Sequence, residues 1–447
     1  MLKKIVVLCA GLSANLALLT PAYSIESLNF QENYALALTR DPQLQSAYFQ
    51  LRSVAENKPQ ARAALLPQVG LSASRSRSRQ QIDGSGVFFN GTTYFENDGY
   101  SLSINQTLYN RQQLLTLDLS DIEYSQAKAD YQVAEADLIV RLADAYFNVL
   151  AAKDNFRFLK LEEIAINKQR EQTLKRFEVG LIAITDVKEA QAQYDSAIAA
   201  SIEGENQLNN AEESLLLITA EPFISLSSLQ SSLDWGLPEP NDINAWVTLA
   251  KRDNPSLLSA NFAREVARKQ VDINRAAHYP TVDLVASHNF SGTSGGGTFG
   301  ASDQETSRIE VQVNVPIYSG GLTSSRTRQA ALQYNQARFA LSAQERSVVQ
   351  LVRSSYLNVN AALIRIKALK EVLASSKAAV EATEDGYDAG TRTVIEVLAS
   401  LRNQYRAERD YAQARYDYIL NWLRLKQAAG TINNQDVITV NEWLEED

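Results

Sequence analysis

The sequence predicts a mainly helical chain of two similar halves, each of which carries a pair of β-strands. Two runs, 111–179 and 322–385, contain no glycine or proline, and at about 1.5 Å per residue each suits a helix of roughly 100 Å. Short segments that alternate apolar and polar residues precede each run in pairs. Similar motifs also recur at a nearly constant offset, which indicates that one unit is repeated.

The chain begins with a predicted export signal at 1–24. Two lysines precede an apolar stretch, and Ala22 and Ser24 are the small residues that a signal peptidase requires. Cleavage after Ser24 would remove Cys9, the one cysteine among the 447 residues. Lipid modification of Cys9 is the alternative, but Leu8 stands where that signal needs a small residue. We therefore expect an exported protein whose stability depends on no disulfide.

Internal similarity divides the remaining residues into two repeats. Arg62–Val69 resembles Arg275–Val282 at an offset of 213 residues, and Phe177–Gly180 resembles Tyr387–Gly390 at an offset of 210. The linker between the repeats contains three prolines and Trp235. We predict a first repeat at 25–219, a linker at 220–241, a second repeat at 242–429 and a tail at 430–447.

Each repeat contains a predicted long helix and a shorter returning helix. Apolar residues recur every seven positions in the second long run, the period of a coiled-coil seam, at Val352, Val359, Ile366, Leu373 and Val380. A helix of this length is not stable alone, so it must pack against others. The predicted bounds are 111–178 and 321–388 for the long helices, and 185–219 and 395–429 for the returning helices.

The alternating segments are predicted strands at 67–79, 100–109, 281–291 and 307–317. In the first of them Val69, Leu71 and Ala73 alternate with polar or small residues, which places the three on one face. Two hairpins on a soluble core and four membrane-spanning strands both fit this pattern, since a transmembrane strand needs about 9–11 residues. Four strands cannot close a barrel, so membrane strands would require several chains to share one.

The composition disfavours several functional classes. A net charge of −9 disfavours a nucleic-acid partner, and there is no internal apolar run that could form a transmembrane helix. The two histidines, His278 and His288, are too few for a metal cluster. A phosphate-binding loop is missing, since no Gly-Lys-Ser/Thr follows the glycines at 295–297. We therefore expect that the protein is not an enzyme and that it binds neither a metal nor a cofactor.

The residues at 63–71, 176–187, 346–355 and 390–393 resemble the outer-membrane efflux protein family, and the likeness extends from about Glu26 to Val440. The resemblance implies a homotrimer whose twelve strands, four per chain, form one outer-membrane β-barrel, continued by a coiled-coil tunnel through the periplasm. It implies an exit duct of tripartite efflux and type I secretion systems for drugs, small toxic molecules and proteins. Its partners would be a periplasmic adaptor, an inner-membrane pump or secretion ATPase, and outer-membrane lipid or lipopolysaccharide. A periplasmic coiled-coil scaffold without a pore is the alternative.

The resemblance also assigns a closed gate to the ends of the long helices. The matching residues are Thr185, Asp186, Tyr387 and Arg392. Tyr387 would donate its hydroxyl to Asp186, and Arg392 would bond Thr185. The alternative reading makes Thr185 a helix N-cap and Asp186 a first-turn acid favoured by the helix dipole.

Further sites follow from the same resemblance. Glu396 matches the first of two acidic rings in the entrance, and Ala399 stands where the second acid would be, so we expect a weakened preference for cations. The tips would dock adaptor hairpins through Val179, Gly180, Leu181, Ala389, Gly390 and Thr391. The run Arg75, Arg77, Arg79 either faces lipopolysaccharide phosphates or belongs to a loop beyond the bilayer.

Overall fold

The structure is a computed structural model that describes residues 28–83, 91–223, 225–230, 233, 235–295 and 300–445. The predicted export signal, with Cys9, lies outside these residues. The elements, in chain order, are α1 (Phe30–Arg40), α2 (Pro42–Ala55), α3 (Asn57–Ala63), β1 (Gln68–Ile82), β2 (Gly91–Asn110), α4 (Arg111–Glu178), α5 (Ile184–Thr219), α6 (Ile243–Asp253), α7 (Pro255–Ala276), β3 (Thr281–Gly295), β4 (Ser302–Asn314), α8 (Leu322–Asp388), α9 (Val394–Ala429) and α10 (Asn434–Glu442).

The two long helices, α4 and α8, form the length of the molecule. They contain 68 and 67 residues, or about 100 Å each. Near the sheet, α4 packs on α7 and on α2 and α3, where Lys269 bonds Asp118 across the α7–α4 contact. Toward the other end α5 returns along α4 and α9 returns along α8. Each long helix is therefore covered in succession by short helices and by a returning helix, as its length requires.

The seam between α8 and α9 has the predicted seven-residue period. Val352, Val359, Ile366 and Val380 are buried, and Leu373 is half-buried. Small residues of α9 such as Ala407 and Ala414 are buried in the same half of the molecule. The structure confirms that this period marks the packed face.

The four strands form one antiparallel sheet in the order β1-β2-β3-β4. All four strands extend further from the helices than the sequence predicted, so that β1 continues to Ile82, β2 begins at Gly91, β3 continues to Gly295 and β4 begins at Ser302. Their added ends are mostly polar, and their few apolar side chains, such as Ile82, Tyr94 and Phe95, do not alternate with polar ones. In contrast β4 ends at Asn314, before the predicted 317, because Pro316 cannot donate to a strand partner.

The strand register places apolar residues on one face of the sheet. Val69 lies opposite Ile104, which lies opposite Ala286, which in turn lies opposite Ile309. The other face carries small polar side chains such as Ser103. The sheet therefore has one apolar and one polar face, the division that a transmembrane barrel strand needs.

The arginine run continues the apolar face within β1, on the side away from the helices. Arg75, Arg77 and Arg79 lie in strand β1 rather than in a loop. Arg75 donates to Glu96 on β2 at 2.8 Å, so acidic side chains of the neighbouring strand share this band. The apolar band is therefore followed by a charged one.

The main core lies midway along the long helices. Tyr146 and Phe147 of α4 are fully buried there and pack edge-to-face with each other, and Phe30 of α1 completes the aromatic group. The predicted tail forms helix α10, which packs against α1. Among the described residues, no helix combines the length and the apolar character that a membrane span requires.

An ion pair is buried beside this core. Asp41 is 2% exposed, caps α2 by accepting from the Leu44 N–H at 2.8 Å, and accepts two hydrogen bonds from Arg141 at 2.8 and 3.2 Å. Burial raises the pKa of Asp41, but the bonds from Arg141 and Leu44 outweigh it and the pKa lies below its usual value. Asn254 holds the equivalent capping position in the second repeat.

Candidate functional site

The two long helices end in the same backbone motif at the end remote from the sheet. Gly180 and Gly390 have φ of +78° and +75°, a conformation that side chains with a Cβ rarely adopt. The Leu181 N–H donates to the Arg176 carbonyl at 2.9 Å, and the Thr391 N–H donates to the Gly386 carbonyl at 2.8 Å. These bonds close both helices as Schellman motifs, which explains the repeated glycine.

The tips present apolar side chains and bare backbone to solvent. Val179 and Leu181 are 70% and 73% exposed, and Ala389 and Thr391 are exposed at the second tip. A Cβ placed on Gly180 or on Gly390 would meet no atom within 4 Å. Backbone conformation therefore requires these glycines, and the surface around them is open.

The returning helices begin differently in the two repeats. In α9 Thr393 is the N-cap, and it forms a capping box with Glu396. In α5 the equivalent residue is Ala183, which has no side-chain oxygen, so the equivalent acid, Asp186, has no capping partner. Thr185 lies inside the first turn, and the alternative reading of Thr185 as the N-cap is wrong.

Glu396 is held tightly at the start of α9. Its carboxylate accepts from the Thr393 N–H at 2.8 Å, the Thr393 hydroxyl at 3.0 Å and Arg392 Nη1 at 2.7 Å. The Thr393 N–H first, and then Arg392, lower the pKa of Glu396. Glu396 therefore remains charged at neutral pH, but it also acts as a helix cap.

The four predicted gate residues all lie at the tips, but within the single chain the two predicted hydrogen bonds, Tyr387 to Asp186 and Arg392 to Thr185, are not formed. The Tyr387 side chain is only 7% exposed, and its hydroxyl has no hydrogen-bond partner among the described residues. Arg392 bonds Glu396 rather than Thr185. Tyr387 instead packs in a small apolar cluster with Val394 and Val397 of α9.

Arg176 is a tip residue that sequence reasoning did not single out. Its Nη2 donates to Asp388 at 2.7 Å, its Nη1 donates to the Tyr387 carbonyl at 3.3 Å, and its guanidinium carbon lies 4.2 Å from the centroid of the Tyr387 ring. It stands within the motif 176–187, but nothing in that motif indicates a partner in the other repeat. The contact joins residues more than 200 positions apart, so local pattern could not reveal it.

Comparison with known proteins identifies the whole arrangement. The family described as Outer membrane efflux protein matches residues 33–221 and 246–431, which are most of both repeats. The chain belongs to the outer membrane efflux protein family. The outer membrane protein TolC of Vibrio cholerae is 38% identical over 432 residues, covering 96% of each chain. TolC of Escherichia coli is 35% identical, covering 93% of this chain and 85% of its own.

More distantly similar proteins match over similar lengths. The alkaline protease secretion protein AprF of Pseudomonas aeruginosa is 29% identical, covering 92% of this chain and 86% of its own. The outer membrane channel CmeC of Campylobacter jejuni has the same fold, with a TM-score of 0.78 at 18% identity, covering 93% of this chain and 90% of its own.

Membership decides among the classes that the sequence left open. The chain is a TolC-like outer-membrane channel for efflux or secretion, with a helical extension in the periplasm, and so a transport protein rather than an enzyme. The scaffold alternative is thereby excluded. Channels of this family form homotrimers, and the fold expected from the sequence is confirmed by the four antiparallel strands and the long helices.

Proposed function

We propose that three copies of this chain form a passive exit duct whose twelve strands close one barrel and whose helices span the periplasm. One observation carries the proposal: strands β1 and β4 each have an unpaired edge within the described part of this chain, on a sheet that is apolar on one face. Lipid tolerates no open sheet edge, so each β1 needs a β4 from another copy. The duct has no energy source of its own, so an inner-membrane pump or secretion ATPase would drive transport.

Extraction and conductance measurements test this proposal together. The protein should require detergent for extraction, migrate as a heat-modifiable trimer and give discrete conductance steps in planar bilayers. Pore formation by a single protomer would contradict the shared barrel. A strain that lacks the chain should become sensitive to toxic small molecules, and restored resistance on complementation would identify efflux cargo.

The resting duct would be closed by Thr185, Asp186, Tyr387 and Arg392. The support is the buried Tyr387 hydroxyl, because an unpaired buried hydroxyl costs about 1–3 kcal/mol and should find a partner once the copies assemble. Asp186 has no capping bond to break, so its carboxylate is available to that hydroxyl. Arg392 would exchange Glu396 for Thr185 when the entrance closes.

Glu396 would form the selectivity ring of the entrance. A trimer presents three such carboxylates, while Ala399 contributes none. While the entrance is open, each Glu396 is paired with Arg392 on its own helix, which lowers the net field inside the pore. We therefore expect a modest preference for cations.

The open tips would dock a periplasmic adaptor. Val179, Leu181 and the exposed backbone at Gly180 offer one apolar groove, and the tip at 389–391 offers a second, similar one. A photo-crosslinker at Val179 should capture a periplasmic protein in cells, while one at Gln172, exposed nearly two turns earlier on α4, should not. Equal capture at both positions would remove the tip as the docking site.

The charged band would contact the outer leaflet. Arg75, Arg77 and Arg79 follow the apolar band on the same face and at the end remote from the periplasmic helices. Arginine pairs well with phosphate, so lipopolysaccharide head groups suit this position. Replacing Arg77 and Arg79 with Gln should reduce the lipid A that co-purifies with the trimer.

A further inference from the structure

Two helical hairpins make up the entrance half of each protomer, α4 with α5 and α8 with α9. Four arginines bridge them among the described residues. Arg424 donates to Asp144 at 2.8 Å, Arg409 donates to Glu162 at 2.9 Å, Arg402 donates to Gln193 at 3.2 Å, and Arg176 reaches Tyr387 and Asp388. Arg176 is the bridge nearest the tips, since it lies in the last turn of α4.

The Arg176 contact differs in kind from an exposed ion pair. The guanidinium lies against the face of a buried tyrosine ring, at a separation that favours a cation–π interaction. It also places positive charge at the carboxyl end of α8, where the helix dipole is negative, and α8 has no basic residue of its own in its last turn. Three features of one α8 end therefore depend on one α4 side chain: the Tyr387 ring, the Tyr387 carbonyl and the Asp388 carboxylate.

We propose that Arg176 is a latch that holds the two tips of a protomer together at rest and orients Tyr387 for the gate. The inference rests on the proposed gate, because it assigns a positioning role next to it. Any movement that separates the α8 tip from the α4 tip must remove the guanidinium from the ring and break both hydrogen bonds. Arg176 thus sets how readily the entrance opens without bonding across the pore itself.

The test compares Arg176→Gln, Arg176→Lys and Lys175→Gln in single-channel recordings. Lys175 is the matched control, because it occupies the same turn, is exposed and makes no ion pair or hydrogen bond among the described residues. We expect Arg176→Gln to raise resting conductance several-fold, Arg176→Lys to raise it less because it keeps the charge, and Lys175→Gln to leave it unchanged. Native conductance in Arg176→Gln would overturn the proposal.

A second measurement separates a latch from a purely structural residue. The temperature at which the trimer dissociates should be the same for Arg176→Gln and the native protein, since the main core lies far from the tips. Spin labels attached through Glu178→Cys and Glu384→Cys measure the distance between the two tips, and that distance should become longer or more broadly distributed in Arg176→Gln. If Arg176→Gln lowers the dissociation temperature and leaves the tip distance unchanged, the latch is wrong and Arg176 only stabilises the structure.

Parallel recordings of the double variant Tyr387→Phe, Arg392→Ser distinguish the two proposals. If that variant opens the channel and Arg176→Gln does not, the gate stands and the latch is wrong. If Arg176→Gln opens the channel and the double variant does not, Arg176 still holds the tips together, but the Tyr387 hydroxyl and Arg392 are not part of the gate and the orienting role of Arg176 is wrong. If neither changes conductance, both proposals fail.

Discussion

Arg392 donates a 2.7 Å hydrogen bond to Glu396 one turn later on the same chain. The acid that the family resemblance places in a selectivity ring is thus already paired, and it caps α9 as well. The two roles are compatible, because a capping carboxylate keeps its charge. The pairing nevertheless predicts that the ring acts more weakly than three free carboxylates would.

Replacing Glu396 and replacing Arg392 should shift the ion selectivity of the channel in opposite directions. Glu396→Gln should lower the cation preference, and Arg392→Gln should raise it, because the carboxylate then loses its counter-charge. Reversal potentials under a salt gradient measure both. The same direction of change in both variants would exclude Glu396 from the pore. Lys188→Gln, a change at an exposed residue of α5, is the control.

The cation preference should persist into acid. Hydrogen bonds from the Thr393 N–H and then from Arg392 hold the pKa of Glu396 below its usual value, so the carboxylate protonates only below the ordinary glutamate range of about 4.3. Selectivity should therefore be constant from neutral pH down to that range and fall only below it. A loss of selectivity between pH 6 and pH 5, roughly, would contradict this assignment.

Ala183→Thr should test whether Asp186 belongs to the gate. The new threonine would give α5 the capping box of α9, with Asp186 in the position of Glu396, and such caps stabilise by about 1 kcal/mol. Asp436 makes this bond in α10, so aspartate is long enough. We expect a more stable helix but a higher resting conductance, because the cap withdraws Asp186 from Tyr387. Unchanged conductance would place Asp186 outside the gate.

Tyr387→Phe isolates the buried hydroxyl. The ring and its contact with Arg176 remain, so only a bond that forms on assembly is lost, at about 1 kcal/mol per copy. Resting conductance in bilayers should rise. Tyr405→Phe changes a half-buried tyrosine that packs against the same apolar cluster, and as the matched control it should leave the resting conductance unchanged. Equal resting conductance in both variants would show that the Tyr387 hydroxyl does not help to close the channel.

Asp41→Asn should destabilise the middle of the molecule. Asparagine caps the equivalent helix in the second repeat, so the cap remains, while the half-buried Arg141 loses its bidentate partner and keeps only Asp137. The loss should be roughly 2–3 kcal/mol, below that of a fully buried pair. Thermal or denaturant unfolding of the detergent-solubilised trimer measures it, with Asp137→Asn as a milder comparison.

The effect of this substitution on stability should depend on pH with a definite sign. The folded-state pKa of Asp41 lies below its unfolded value of about 3.9, so its contribution is full above that value and is lost as pH falls through the folded pKa. The native protein and Asp41→Asn should therefore differ most near neutral pH and converge in strong acid. A gap that widens below about pH 4 would contradict the ion pair.

Much of the fold could be predicted from sequence because its signals are local. The absence of glycine and proline predicted α4 and α8 within a residue or so, and period-two patterns located all four strands. The outer strand ends, such as the start of β2 at Gly91, were missed because apolar and polar side chains do not alternate there. Glycine located the ends of the long helices correctly, but the Arg176 contact joins two repeats and has no local signal. The capping role of Glu396 was missed although Thr393 and Glu396 have the spacing of a capping box.

The edges of β1 and β4, which have no strand partner among the described residues, also affect how the protein is assembled. A lone chain entering the bilayer would expose rows of unpaired N–H and C=O groups to hydrocarbon, which costs several kcal/mol per group. Copies must therefore meet before or during insertion, and the rate of insertion should depend steeply on the local supply of newly exported chains. A copy with a damaged β1 would also leave a strand unpaired in every barrel that contains it. One mutant allele should therefore inactivate channels that also contain native copies.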